Sequence, residues 1–289
     1  MAATALLTRN ILRNGLSLTL TQTNRALASY STTTKKNANE SLREKVPANG
    51  GFLNLLFGGK KGKRELPHSK LLTDSHRIYE LQFHIVQPQH FNEYVKLCET
   101  ALPEVNELIP SKLLGSWTTQ IGQQDQVVHM FMHENGYETY EKTYRHGRND
   151  PGLSKVLQAM DKLLAKRYNH LCQEFGFWGD VKPRSGGNIY ELRTYHLKPG
   201  SLLEWAQHWA KGINYRKDYN EPVCGLFTQI GELYTVHHIW SYKDLPTRSE
   251  ARESAWGQPG WDECVMHTVP LIRHMDSDIL TPMSCSLLK

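Results

Sequence analysis

No part of this 289-residue sequence approaches the roughly 20 consecutive apolar residues that a membrane-crossing helix needs. Paired cysteines are missing too: the five present, Cys98, Cys172, Cys224, Cys264 and Cys285, are an odd number without a C-x-x-C pair. That usage fits a reducing compartment and argues against a disulfide framework or a zinc knuckle. There is no H-E-x-x-H, no Gly-rich phosphate loop, no G-x-S-x-G and no paired-carboxylate pattern. Common metalloprotease, nucleotide-binding, esterase and glycosidase chemistries therefore lack their sequence signatures, and no metal or cofactor is expected from motifs. Acids are absent from residues 1–36, where Arg9, Arg13, Arg25, Lys35 and Lys36 stand; the first acid is Glu40.

This last absence locates the charge. Taking those five from 34 Lys and Arg leaves 29 basic residues against 29 acidic ones, so the formal +5 belongs to the N-terminal segment. A nucleic-acid-binding surface over the remainder loses its electrostatic support. What is present is ordinary for a folded protein: 39% apolar, 10% aromatic and 22% charged residues.

Residues 1–36 are rich in Ser, Thr, Leu, Ala and Arg, the composition of a mitochondrial transit peptide. As a helix, residues 4–18 set Leu7, Ile11 and Leu18 near one side and Arg9 and Arg13 on another. A secretory signal is a weaker match, because Asn10, Arg13 and Asn14 interrupt any compact apolar core. Residues 37–76 read as a flexible linker with Gly50-Gly51, Gly58-Gly59, Pro47 and Pro67. Within it, Phe52 to Phe57 is a short apolar patch suited to docking on the body or on a partner's sheet edge.

An internal repeat organises the rest. Ile78-Tyr79-Glu80-Leu81 recurs 111 residues later as Ile189-Tyr190-Glu191-Leu192, Thr119-Gln120-Ile121-Gly122 recurs 109 later, and Pro151-Gly152 recurs 108 later. Three matches in one order with a slowly drifting offset mark a tandem duplication. Each copy opens with a strand, 77–86 or 188–197. Apolar residues at i, i+3, i+4 and i+7 then predict a helix through Tyr94, Cys98 and Leu102, or through Trp205, Trp209 and Ile213. Strands at 114–121 and 126–133, or 224–230 and 233–242, flank a turn at Gly122 or Gly231. A long helix from Asn149-Asp150-Pro151 through Leu163, Leu164 and Leu171 follows, and its counterpart, Trp261 to Ile279, is interrupted by Pro270. Closing strands are expected at about 174–178 and 283–288.

The order is β-α-β-β-α-β, a ferredoxin-like unit, over residues 77–180 and again over 188–289. One such sheet leaves a bare face. The expected architecture is thus α+β: tandem ferredoxin-like repeats packed sheet to sheet as a pseudo-dimeric α+β barrel. Two side-by-side units joined through Pro183 and Gly186-Gly187 are the other arrangement.

Alternation along the third strand aligns Tyr234, Val236, His238, Trp240 and Tyr242, with Val127, His129, Phe131 and His133 as their equivalents. His129 and His238, flanked by Phe131 and Trp240, are thereby candidates to line a pocket in an interior shared by the repeats, for a planar ligand or haem iron. The plainer reading is a pair of hydrogen-bonded interior imidazoles. His237 and His238 face opposite sides of their strand and cannot chelate one metal. Glu191 and Arg193 share a face and form an expected rim ion pair. Trp178-Gly179-Asp180-Val181 has the outline of an aromatic-x-x-Val docking motif, with Trp178 expected to be buried at a strand end.

Asn188-Ile-Tyr-Glu-Leu-Arg-Thr-Tyr195, Leu197-Lys-Pro-Gly200, Gln229-Ile-Gly-Glu-Leu-Tyr234, Val236-His-His-Ile-Trp240, Tyr242-Lys-Asp-Leu245, Gly260-Trp-Asp-Glu263, Thr268-Val-Pro-Leu271 and Arg273-His-Met275 closely resemble the NipSnap family. Looser similarity extends over about 77–180, through Gln124-Asp-Gln126 and Phe175-Gly-Phe-Trp178. The resemblance implies a dimeric α+β barrel fold and residence in the mitochondrial matrix. It also implies a non-enzymatic role in mitochondrial quality control, in which autophagy receptors and adaptors are recruited to damaged mitochondria, with homo- or hetero-oligomers of related members as further partners. Import that stalls on depolarisation would expose the protein on the outer mitochondrial surface. The superfamily also contains oxidative enzymes, so the alternative is a ligand-binding protein, or an enzyme acting on haem or another small molecule between the repeats. No catalytic residue carries over.

Overall fold

The computed structural model describes residues 72–216 and 221–289. The transit-peptide segment and the apolar patch at 52–57 lie outside the described residues. So does the linker except for its end, where Leu72 and Thr73 are buried against the body.

The first repeat runs β1 (Ile78–Val86), α1 (Phe91–Leu108), β2 (Lys112–Ile121), β3 (Gln126–His133), α2 (Tyr137–Asn149), α3 (Pro151–Leu163) and β4 (Leu164–Glu174). The second runs β5 (Ile189–Leu197), α4 (Leu202–Gly212), β6 (Pro222–Ile230), β7 (Thr235–Tyr242), α5 (Leu245–Trp256), α6 (Trp261–Thr268) and β8 (Ile272–Pro282). Both copies are β-α-β-β-α-β at the level of whole elements, with a doubled second helix. The turns repeat in detail: Gly122 and Gly231 share a φ of 117°, a left-handed conformation that a Cβ would strain.

The eight strands close into a barrel in the order β1-β3-β2-β8-β5-β7-β6-β4, all neighbours antiparallel. Each repeat's last strand pairs with the other's second strand, β8 on β2 and β4 on β6. This exchange covers the bare sheet faces and leaves no free edge, which rules out the side-by-side arrangement. Every strand contributes to the barrel core, for example Leu81, Trp117, Met130, Cys172, Tyr190, Leu226, Ile239 and Leu280. Val181 and Leu288 pack on that core from the inter-repeat segment and the C-terminal tail. Two further cores lie outside the barrel wall, under the helices of each repeat.

The closing strands fall earlier than the expected 174–178 and 283–288. Asp150 caps α3 by accepting a hydrogen bond from the Leu153 N–H at 2.8 Å, but α3 stops at Leu163 and Leu171 belongs to β4. Leu164 to Glu174 is exposed over its first half, where pairing with β1 holds it in the ladder, and β6 joins from Leu171 onward; local apolar periodicity does not set it. In the second repeat α6 ends at Thr268, a 3-10 turn carries Pro270, and β8 begins at Ile272. Proline ends the helix there, as its missing N–H requires. Trp178 sits in a turn after β4, its ring tilted against His238 and edge-on to Trp240.

Candidate functional site

Strand alternation gives each sheet an inner face toward the barrel and an outer face toward its helices. Val128 and Met130 point inward, so His129, Phe131 and His133 point outward beneath α1, α2 and α3. Ile239 points inward, and Trp240 with Val236 lies in the core under α4, α5 and α6. His129 and His238 therefore occupy equivalent outer-face positions on strands four apart around the eight-strand barrel. The expected shared pocket of His129, His238, Phe131 and Trp240 does not form, because the barrel interior is filled by the inward-facing residues of all eight strands. His237 does face inward, where its ring bonds His170 at 3.0 Å and Thr194 at 3.0 Å.

In the first repeat the outer face floors a cavity of about 830 Å³. Its wall is the apolar side of the helices, including Leu102, Val105, Ile109, Val156, Leu157 and Met160. Its floor is polar: Glu80, Gln82 and His84 of β1, His129 and His133 of β3, Arg167 and Asn169 of β4. Strand pairing sets Ser116, His129, Gln82 and Asn169 in one row across the sheet, which brings polar groups remote in sequence into contact.

Two hydrogen-bonded strings run through that floor. Ser116 Oγ lies 2.7 Å from His129 Nδ1, His129 Nε2 lies 3.1 Å from Tyr94 Oη, and Tyr94 Oη lies 2.5 Å from His84 Nδ1. In the second, Ser111 Oγ bridges Thr143 and His133 Nδ1 at 2.5 and 2.6 Å. Glu80 then lies 3.3 Å from His133 Nε2 and accepts from Asn169 at 2.6 Å. Burial, and then the nearby Arg167 charge, pull the His84 imidazole down to about 4. Burial pushes His129 well below the ordinary range in the same direction, so both rings are neutral near pH 7. Burial alone would raise the Glu80 carboxyl, but His133, Asn169 and Gln82 outweigh it and hold the group ionised. Among the described residues no group of three or more His, Cys, Asp or Glu side chains is arranged to hold a metal.

The same place in the second repeat is packed solid. His238 is enclosed by Trp178, Trp205, Trp209 and Tyr195, with ring centroids 4.6–5.1 Å away, and neither ring nitrogen has a hydrogen-bond partner. Trp240 stacks on the Arg216 guanidinium at 4.4 Å. The Glu191–Arg193 pair, expected at an exposed rim, is buried. Glu191 also accepts from Arg248 and from Ser277, and these partners outweigh burial to lower its carboxyl to about 2.

Nearby, a smaller pocket of about 180 Å³ opens on the helical surface of the second repeat. Trp256, Val269 and Met275 border it and are about half exposed. Arg193, Arg216 and Arg252 contribute its basic side; the first two are paired with Glu191 and Glu221, while Arg252 has no carboxylate within ion-pair distance among the described residues. Sequence reasoning missed Tyr94, His84 and Ser116 as partners of His129, and also missed this pocket. Only strand register and helix placement reveal either. No described helix is long and apolar enough to cross a membrane.

A family model, NIPSNAP, matches residues 79–172 and 190–287, one match per repeat. The chain is 43% identical to human "Protein NipSnap homolog 2" over 242 residues, covering 82% of this chain and 85% of that one. It is 40% identical to Drosophila melanogaster "Protein NipSnap" over 281 residues, covering 96% and 97%. In fold it is similar to a Lactobacillus acidophilus crystal structure at a TM-score of 0.54 and 10% identity, covering 73% of this chain and 95% of that one. An "anthrone oxidase-like protein" is similar at a TM-score of 0.52 and 9% identity, covering 73% and 93%.

Proposed function

This chain belongs to the NipSnap family, and on that premise we propose that it is a mitochondrial protein of homeostasis and quality control that works by binding other proteins. In this reading it resides in the matrix and, after depolarisation, marks damaged mitochondria by recruiting autophagy receptors or their adaptors to the outer surface. The acid-free, Arg-bearing residues 1–36 support the address. A precursor pulled inward by the membrane potential accumulates outside when that potential falls, so the address doubles as a sensor.

The observation that carries the protein-binding part is the patch around Trp256. An exposed tryptophan beside methionine and an arginine with no carboxylate partner among the described residues has the composition of an interface hot spot. The patch suits an acidic peptide that places an apolar side chain on Trp256 and a carboxylate on Arg252. The rival enzyme acting between the repeats loses the paired imidazoles on which it was built, since His129 and His238 never share a space.

Uncoupler treatment of cells followed by fractionation and surface proteolysis tests the address and sensor. A protease-sensitive outer pool that grows with depolarisation is expected, and a protein confined to the matrix under both conditions would sink the reading. Co-purification of receptors from those cells should fall with Trp256→Ala and with Arg252→Glu. Undiminished recovery with both variants removes the patch from the account.

A further inference from the structure

We propose that the cavity of the first repeat is a binding site for a neutral amphipathic small molecule, whose hydroxyl or carbonyl group hydrogen-bonds to His84 while its apolar body lies against the helical wall. The site is independent of the protein-recruiting role. Size is the first argument: about 830 Å³ lies within the range of roughly 300–1,000 Å³ typical of small-molecule pockets. Two-sidedness is the second. One wall is aliphatic and the opposite floor carries the polar row, so a molecule with one polar edge satisfies both without burying an unmatched group.

Charge balance then selects neutrality. Within the cavity Arg167 is paired with Asp161, and Glu80 is held by Asn169 and faces His133, while Arg148 stands exposed at the rim over Tyr144. An ionic group placed at the buried end beside His84 would meet only charges that are already paired there and bear its desolvation cost.

His84 supplies the contact. It is nearly fully buried, it lines the cavity, and its Nδ1 is occupied by Tyr94. Its Nε2 takes no hydrogen bond from the described residues. The string behind it can run in either direction with the same number of protons. If Ser116 donates to His129 Nδ1, His129 Nε2–H donates to Tyr94, Tyr94 donates to His84 Nδ1, and Nε2–H is left to donate to a ligand carbonyl. If instead the Ser116 hydrogen turns to Met283 Sδ, 3.1 Å away, every bond reverses and Nε2 accepts from a ligand hydroxyl. Both arrangements leave each partner satisfied, so the chemistry admits phenols and alcohols as well as ketones. Entry is marked by Tyr144, Leu157 and Tyr168, bulky apolar side chains that remain substantially exposed.

The test is a fluorescence titration of the full chain with 2-naphthol, a neutral aromatic hydroxyl compound, beside 2-naphthoate, an anion of similar size. Saturable 2-naphthol binding is expected. Both His84→Phe, which removes the hydrogen bond, and Leu157→Trp, which fills the exposed rim, should weaken it by about tenfold. Met266→Trp, exposed outside the cavity, should leave it unchanged, and 2-naphthoate should bind about tenfold more weakly than 2-naphthol. Absence of saturable binding, equal affinity for the anion, or undiminished binding in Leu157→Trp would each overturn the proposal. Leu157→Trp keeps it falsifiable if His84→Phe fails to fold.

Discussion

His129 and His238 hold the same place in the two repeats, yet the first is hydrogen-bonded at both ring nitrogens and the second at neither. The difference lies in their neighbours. Ser116 stands across the ladder from His129, and Gly225 stands across from His238. Above the sheet, Tyr94 on α1 is replaced by Trp205 on α4, and Trp178 fills the space over Gly225. One copy thus kept a polar floor under a cavity, and the other became an aromatic core.

Restoring the serine should fail in the second copy. A Cβ at Gly225 would lie 2.2 Å from the Trp178 indole nitrogen, so Gly225→Ser must displace a packed ring. A loss of about 1–3 kcal/mol is expected, read as a lower urea midpoint. An unchanged midpoint would contradict the packing described for Trp178.

The buried imidazoles should make the fold acid-sensitive. A His84 pKa near 4 in the folded state against about 6.5 unfolded means that the unfolded chain binds more protons in between. The associated stability is complete above pH 6.5 and is lost as pH falls toward 4, amounting to about 2 kcal/mol from His84 alone at about pH 5. His129, His237 and His238 shift in the same direction and add to it. Denaturant midpoints measured across this window should fall with pH, and a flat profile would count against neutral burial of these rings.

Thiol reactivity should follow burial. Cys98, Cys172, Cys224 and Cys264 are buried, and burial pushes the Cys98 and Cys172 thiols up to about 12. Alkylation of the folded protein should modify Cys285 first, with those four reacting only on unfolding. Mass-spectrometric mapping checks this; early labelling of Cys172 would mean that the barrel opens readily.

Core and surface tryptophans should separate cleanly. Trp205→Ala removes a fully buried ring that packs on His238 and should cost about 3–5 kcal/mol. Trp256→Ala removes an exposed one and should stay within about 0.5 kcal/mol, so that its effect on partner recovery can be assigned to binding. Thermal unfolding of the two variants decides the point.

The amino-acid sequence by itself determined the duplication, because the recurrence near Ile78 and Ile189 is a property of the chain alone. It also determined the opening strands, the Gly122 and Gly231 turns and the first helix of each copy, whose apolar spacing is local. The helix over Tyr137–Asn149 went unread: its side chains are mostly polar and exposed, and only Thr139 is buried. The closing strands were misplaced for a related reason. Leu164–Glu174 and Ile272–Pro282 are extended because each pairs with a strand of both repeats, a long-range hydrogen-bonding demand that leaves little local signature. Tertiary structure alone decided which face of β3 and β7 meets helices and which meets the barrel. Alternation fixes that His129 and His238 share a face, but barrel closure turned that face outward, toward a cavity in one copy and a tryptophan cluster in the other.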